Sequence, residues 1–245
     1  MKFSFYLFNV VVICLLSSQA VGLAPIGPAA SDLEKGQVAI GFDYSDGEAE
    51  LVGKLLGLEI EAESEFDSYL GKIRFGVLDG LEIFGRIGSA EVDGSSGIAG
   101  GIGMKARLAE SENIDWGFAG QITWAGYEDD GYEPAFGYLW HEEADFYTVQ
   151  LALGPVFKGG GFRFYGGPML VWLEGDGDLD VIGGPLPGRF PFELEKELEV
   201  GGYVGLSVDL FDGSGEDQAA SCDLNVEYQF GKDWDLLGLG VSLKF

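Results

Sequence analysis

The chain has one histidine, two cysteines and only 14 basic residues against 41 acidic ones. Beyond its N-terminal stretch, no apolar run approaches the ~20 residues that a membrane-spanning helix requires. Each shortage excludes something. A formal charge of −27 excludes nucleic acid as a partner, because a phosphate backbone demands a basic surface. The missing apolar run excludes a helical membrane protein. Cys14 lies in the N-terminal stretch, which leaves Cys222 alone in the remainder; a lone thiol forms no intramolecular disulfide and supplies no cysteine-based metal site. Walker, Rossmann, zinc and catalytic-triad patterns are absent as well.

Lys2 is followed by an apolar run from Phe3 to Leu16 and then by Ser-Ser-Gln-Ala-Val-Gly over 17–22. That order, a charged start, a short apolar run and small residues, is a signal peptide, with cleavage expected after Ala20 or Gly22. Ile13 stands before Cys14 where a lipidation box carries a small residue, so no lipid anchor is expected. Removing residues 1–22 takes away Lys2 and no carboxylate, so the charge moves from −27 to −28. The expected organisation is a signal peptide over 1–22, a Pro/Ala-rich linker over 23–36 and one folded unit over 37–245.

What the chain has in abundance is glycine, 41 residues, and period-two alternation. Val38, Ile40, Phe42 and Tyr44 alternate with Ala39, Gly41, Asp43 and Ser45. The pattern recurs over 69–77, 81–88, 98–108, 115–124, 147–154, 200–209, 223–230 and 235–245, whereas 161–173 is apolar on both faces and shows no register. An apolar face opposed by a small or polar one is what a bilayer-spanning strand requires. The pattern predicts an all-β fold, a transmembrane antiparallel up-and-down β-barrel of about ten strands, with eight or twelve as alternatives. Ile102, Trp116, Trp124, Val226 and Leu239 are expected to face lipid, and Arg107, Gln121 and Glu227 the interior. Trp116 and Trp124 share a face eight residues apart, roughly 20 Å along a tilted strand, which suits the two interfaces of the bilayer. Three long gaps, 46–67, 127–143 and 174–196, fall in odd-numbered connections, the side on which such barrels carry long loops. The first of them either extends a hairpin or hides a strand pair.

From Asp235 to Phe245 the alternation is strict and ends on an aromatic residue. Gly240, Leu243 and Phe245 resemble the C-terminal assembly signature of outer-membrane barrels, while Gly238 stands where that signature carries a polar residue. With the signal peptide and the strand alternation, the chain resembles the superfamily of small bacterial outer-membrane β-barrel proteins. The resemblance implies residence in the cell outer membrane, outer-membrane lipids as partners and delivery to the barrel-assembly machinery through the C-terminal strand. The soluble rivals are a lipocalin-like barrel, whose apolar face would point inward, and a β-sandwich with core tryptophans.

Inward charges are segregated. Lys72, Arg74, Arg86, Lys105 and Arg107 fall on strands two to four, and Asp43, Glu199, Asp209, Asp223 and Glu227 on strands one, eight and nine. Ion pairs across a narrow lumen, or hydration in a small polar pore, would satisfy them. His141 sits beside Trp140, Glu142, Glu143 and Asp145. Omptin-type proteases and lipid A-modifying barrels use a rim histidine, but the motifs around theirs are not found here. Glu174–Asp180 (EGDGDLD) resembles the start of a calcium loop and departs from it at Val181 and Pro187; divalent cations at the acidic loops remain a candidate partner. No catalytic, cofactor-binding or metal-binding residue is assigned and no enzyme activity is expected. The functional expectation is a structural or surface-interaction barrel with a filled lumen, the alternative a narrow cation-preferring pore, and a surface enzyme trails both. Deleting Phe245 should reduce the heat-modifiable, membrane-inserted form at native expression level; unchanged assembly would remove the C-terminal residue from the insertion signal.

Overall fold

A computed structural model describes residues 24–55, 58–133, 138–183, 187–211 and 220–245; the signal peptide expected over 1–22 lies outside the described residues. Ten strands follow one another: β1 Val38–Leu55, β2 Leu58–Leu78, β3 Leu81–Val92, β4 Ser95–Glu110, β5 Ile114–Glu133, β6 Tyr138–Gly159, β7 Phe162–Gly183, β8 Gly188–Phe211, β9 Ser221–Phe230 and β10 Trp234–Lys244. Each pairs antiparallel with its neighbours in sequence, and β1 pairs with β10, closing the barrel. At the closure Phe245 N–H donates to Val38 O at 2.9 Å. Closure leaves no unpaired strand edge in the wall, the condition a sheet must meet to cross hydrocarbon.

The outward residues are those the alternation selects. Ile102 is 58% exposed and Val226 40%, and Trp116, Trp124 and Leu239 stand on the same surface. Gln121 and Glu227 are buried in the interior. Such a continuous apolar outer surface is incompatible with water around it and fits lipid. Two aromatic bands bound it. Tyr44, Tyr69, Trp124, Tyr147, Trp172 and Tyr228 mark the outer edge, and Phe75, Trp116, Phe157, Phe164 and Phe245 the inner one. At the outer edge the hydroxyls of Tyr44 and Tyr228 donate to Asp67 and Asp235, each at 2.8 Å. That is how amphipathic rings sit at a water interface.

Above the outer band the alternation reverses its polarity. In β7, Trp172 faces lipid and Leu173 the interior; one turn of the pleat later Glu174, Asp176, Asp178 and Asp180 point outward while Leu179 and Val181 are buried. In β6 the outward residues change from Tyr147 and Val149 to Asp145 and Glu143, with Phe146 and Ala144 buried between them. The strands therefore run on into water with an apolar inside and an acidic outside. This corrects the reading of 46–67, 127–143 and 174–196 as loops: β1 pairs with β2 up to Leu55 and Leu58, β5 with β6 up to Glu133 and Tyr138, and β7 with β8 up to Val181 and Gly188. Of the two possibilities for 46–67, the hairpin extension is the one adopted.

The hairpins β3–β4 and β9–β10 stay short, turning at Asp93–Gly94 and at 231–233. Over β9–β10, β1 reaches across to β8, pairing Gly53 with Leu194 and Leu55 with Phe192. The projecting crown is thus a curved sheet in the order β2, β1, β8, β7, β6, β5. Inner-end turns are tight, with Gly80 at φ +75° and Gly160 and Gly161 at φ +60° and +81°, the left-handed conformations that such turns require.

Leu151 stands opposite Gly120, midway between Trp116 and Trp124 on the adjacent strand. Leu151→Arg should destabilise the barrel in lipid vesicles by about 2–4 kcal/mol, read by urea unfolding. A change within about 0.5 kcal/mol, as at an ordinary surface position, would place this face outside hydrocarbon.

Candidate functional site

The interior has two layers of different chemistry. The outer layer is apolar: Phe66, Val92, Tyr127, Phe146, Leu173, Leu179, Phe192 and Trp234 pack as one buried cluster, with the rings of Tyr127 and Phe146 stacked at 6.0 Å. The Tyr127 hydroxyl donates to Glu142 at 3.1 Å. The inner layer is polar and charged, and it is not filled by wall side chains alone. Of the linker expected over 23–36, residues 24–33 run inside the barrel from its inner mouth to mid-height, and Glu34, Lys35 and Gly36 are exposed at the mouth. Ala24, Ile26, Ala29, Ser31 and Leu33 are all at most 1% exposed.

This segment has no regular structure, so its backbone groups need partners in the wall. At the mouth, Gly36 N–H donates to Gly76 O at 2.8 Å, and Gly80 N–H to Leu33 O at 3.3 Å. The Ser31 hydroxyl donates to Glu82 at 2.7 Å. Deeper, the N–H groups of Ile26 and Gly27 both donate to the Glu227 carboxylate, each at 2.8 Å. Arg86 donates to Pro25 O at 2.5 Å. At mid-height Ala24 O accepts from Gln121 at 2.8 Å and from Gln229 at 3.3 Å. Gln150 links these two amides, accepting from Gln121 and donating to Gln229 at 2.9 Å, so a chain of three glutamines crosses the lumen.

Glycine makes room for the segment. A Cβ on Gly117 would lie 2.0 Å from Ala30 N, and one on Gly238 would lie 2.3 Å from Pro25 Cγ. A cavity of about 20 Å³ lies between segment and wall, room for a single water.

Charge in the inner layer converges on Asp32. Arg74 from β2 and Arg163 from β7 each donate to its carboxylate at 2.5 Å, and Lys244 from β10 donates to it as well. Each cation also has a partner in the wall. Arg74 holds Glu82 through two bonds of 2.9 and 2.7 Å. Arg163 donates to Ser207 at 2.8 Å and to Asp209 at 3.3 Å, and Lys244 lies 3.1 Å from Asp223. Beside this group Lys72 and Arg86 both pair with Asp43, at 2.7 and 3.1 Å. Among the described residues no carboxylate lies within ion-pair distance of Lys105, which sits 6.0 Å from the centre of the Phe84 ring. The wall around the segment therefore carries six cations, namely these five and Lys105, against the five carboxylates of Asp43, Glu82, Asp209, Asp223 and Glu227.

The expected segregation of charge is present with different pairing. Lys72 and Arg86 do meet Asp43, but Arg107 turns to Glu110 at 3.5 Å on its own strand, and Glu227 binds backbone N–H groups instead of a cation. Glu199 stands opposite Val171, in the apolar layer. Asp32, Arg163 and Lys244 were not anticipated. Asp32 lies in a stretch without periodicity, and Arg163 in the strand whose two apolar faces hid its register.

His141 is on the outer surface of the crown, paired with Asp130 at 2.8 Å, and Asp130 is largely exposed. The bond to Asp130 raises the imidazole pKa above its ordinary value. Glu174, Asp176, Asp178 and Asp180 line one face of β7 two residues apart, and among the described residues no three carboxylates are gathered to hold one ion; Asp178 accepts from Arg189 at 2.5 Å.

Glu227→Gln replaces a charged acceptor of two backbone bonds by a neutral one, a loss of about 1.5–3 kcal/mol. Hydrogen exchange at the Ile26 and Gly27 amides should accelerate about tenfold or more. Unchanged exchange would mean that the segment is held elsewhere.

No protein-family model matches the chain, and no curated protein matches it in sequence. Several solved structures match in outline. The outer membrane protease OmpT from Escherichia coli is 8% identical, with 85% of this chain and 95% of that one covered and a TM-score of 0.49. The COG4313 outer membrane channel from Pseudomonas putida F1 is 10% identical, with 91% and 100% covered and a TM-score of 0.36. Ail, the attachment invasion locus protein of Yersinia pestis, is 14% identical, with 86% and 99% covered and a TM-score of 0.33. A protease, a channel and an attachment protein share this outline, so at such similarity it carries no argument about activity. The fold is established by the chain's own strand pairing.

Proposed function

We propose that this chain is a non-enzymatic outer-membrane β-barrel closed by its own N-terminal segment, with a structural or surface-interaction role carried by the projecting acidic crown. The observation that carries the reading is the segment over 24–33, held in the inner layer beside a cavity of about 20 Å³. A hydrated ion needs a continuous aqueous path, and the segment stands across it. The apolar cluster of the outer layer adds a second obstruction of a different kind. The aromatic bands and the acidic crown above the outer one support an orientation with the crown outside the cell, since short turns face the periplasm in such barrels and long extensions face outward. The C-terminal strand supports delivery by the barrel-assembly machinery.

The crown presents carboxylates in cross-strand register, as where Asp145 faces Asp176 and Asp176 faces Glu193. Like charges so placed repel one another, and cationic partners, divalent ions included, would relieve the repulsion. This supports a surface that meets cations from the medium; it supports no acid–base centre.

Planar-bilayer recordings of the refolded full chain should show no stable conductance steps. Deleting residues 24–35 while keeping the region preceding them should remove one of the two obstructions and raise the frequency of brief current events, the apolar layer still preventing a steady channel. A steady, ohmic, cation-selective channel in the unmodified protein would overturn occlusion and favour the narrow-pore alternative.

A further inference from the structure

We propose that the inner mouth of the lumen contains a binding site for a small carboxylate anion, and that Asp32 occupies this site in cis. The inference rests on the reading of 24–33 as an internal segment of the barrel, and it concerns what the wall would do when that segment is elsewhere.

Three cations from three separate strands, Arg74, Arg163 and Lys244, aim donors at a single carboxylate. A cluster of like charges would normally splay apart once its counter-ion left. Here each member is fixed independently. Glu82 grips Arg74 through both oxygens, Ser207 and Asp209 hold Arg163, and Asp223 lies beside Lys244. The donors therefore stay aimed at one point without Asp32, which is the preorganisation that separates a binding site from a chance ion pair. The forked guanidinium groups suit a planar carboxylate.

The charge balance points the same way. The wall around the segment carries six cations and five carboxylates, Lys105 being the one with no carboxylate at ion-pair distance among the described residues, and Asp32 is the carboxylate that the segment adds where three donors converge. In a low-dielectric interior that imbalance is costly to leave uncompensated. Asp32 is not part of the wall. It is joined to β1 through Gly36, which has a φ of +86° and whose N–H donates to Gly76 O at 2.8 Å, so withdrawal of the segment breaks that bond first. A barrel from which the segment has withdrawn then presents an anion-selecting constriction at its inner mouth, opposite in sign to its acidic crown.

The test uses the full chain in detergent micelles carrying Asp32→Ala, titrated with ¹³C-labelled acetate and followed by NMR, with chloride at matched ionic strength as reference. Saturable binding in the millimolar range is expected, at least about tenfold weaker in the unmodified protein, where Asp32 fills the site, and likewise weaker in the double variant Asp32→Ala/Arg163→Gln. If Asp32→Ala does not fold, Asp32→Ser retains a small polar side chain and is titrated in its place. Absence of saturable binding, or equal binding of acetate and chloride, overturns the proposal. Acetate binding to the variant together with steady conductance of the unmodified protein would defeat the occlusion reading and leave this site intact.

Discussion

Charged side chains on the inner wall of a narrow barrel cannot be hydrated as they would be on a surface, and the arrangement of this interior follows from that. A buried cation needs a partner held at bonding distance, because leaving one member of such a pair uncompensated costs about 3–5 kcal/mol. The wall supplies partners for five of its six cations, as in Lys72 and Arg86 against Asp43, and Lys105 lies over the Phe84 ring. The segment adds to what the wall supplies. The N-terminal segment brings Asp32 to Arg74, Arg163 and Lys244, and it offers backbone N–H groups to Glu227, a carboxylate with no cation at ion-pair distance among the described residues. Segment and wall are complementary halves of one network. The inward glycines at 117 and 238 complete the fit by leaving the volume that the segment occupies.

The same principle, applied to the outside, sets the length of the strands. Through the bilayer the outer face must be apolar, and the inner face can then be polar. Above the bilayer the outer face meets water, and the inside becomes an ordinary apolar core of Phe146, Leu173, Leu179 and Phe192. The polarity of the two faces exchanges at the row of Tyr44, Tyr69, Trp124, Tyr147, Trp172 and Tyr228, whereas the backbone pairing continues unbroken across it. The crown is the barrel continued into water, and its bridge between β1 and β8 closes the sheet over the short β9–β10 hairpin.

How far this was legible in the sequence follows from where alternation has one meaning. In the bilayer-spanning parts it has one, and the strand order, the outward faces of Ile102, Trp116 and Val226 and the ten-stranded closure were readable. In the crown the alternation is equally regular but inverted, so GDGDLD reads as loop chemistry although it lies in a strand with Asp outside and Leu179 inside. In β7 the apolar outer layer meets the apolar lipid face, Tyr165, Met169 and Val171 being buried opposite exposed Phe164, Leu170 and Trp172; both faces are apolar and no register shows. The segment over 24–33 has no period at all, because its conformation is imposed by the wall through contacts as distant as Ile26 to Glu227. A composition rich in Pro and Ala describes a linker and a lumen-filling segment equally well.

The central claim, that residues 24–33 lie inside the barrel, is tested most directly by the accessibility of one side chain. Ser31 is buried at 1% exposure and bonded to Glu82, and cysteine is close to it in size. In a Cys222→Ser background reconstituted in lipid vesicles, Ser31→Cys should resist a water-soluble maleimide applied to both sides of the membrane and react fully once heated in SDS. Labelling in the folded protein at the rate of a free surface thiol would place the segment outside the lumen and contradict the account.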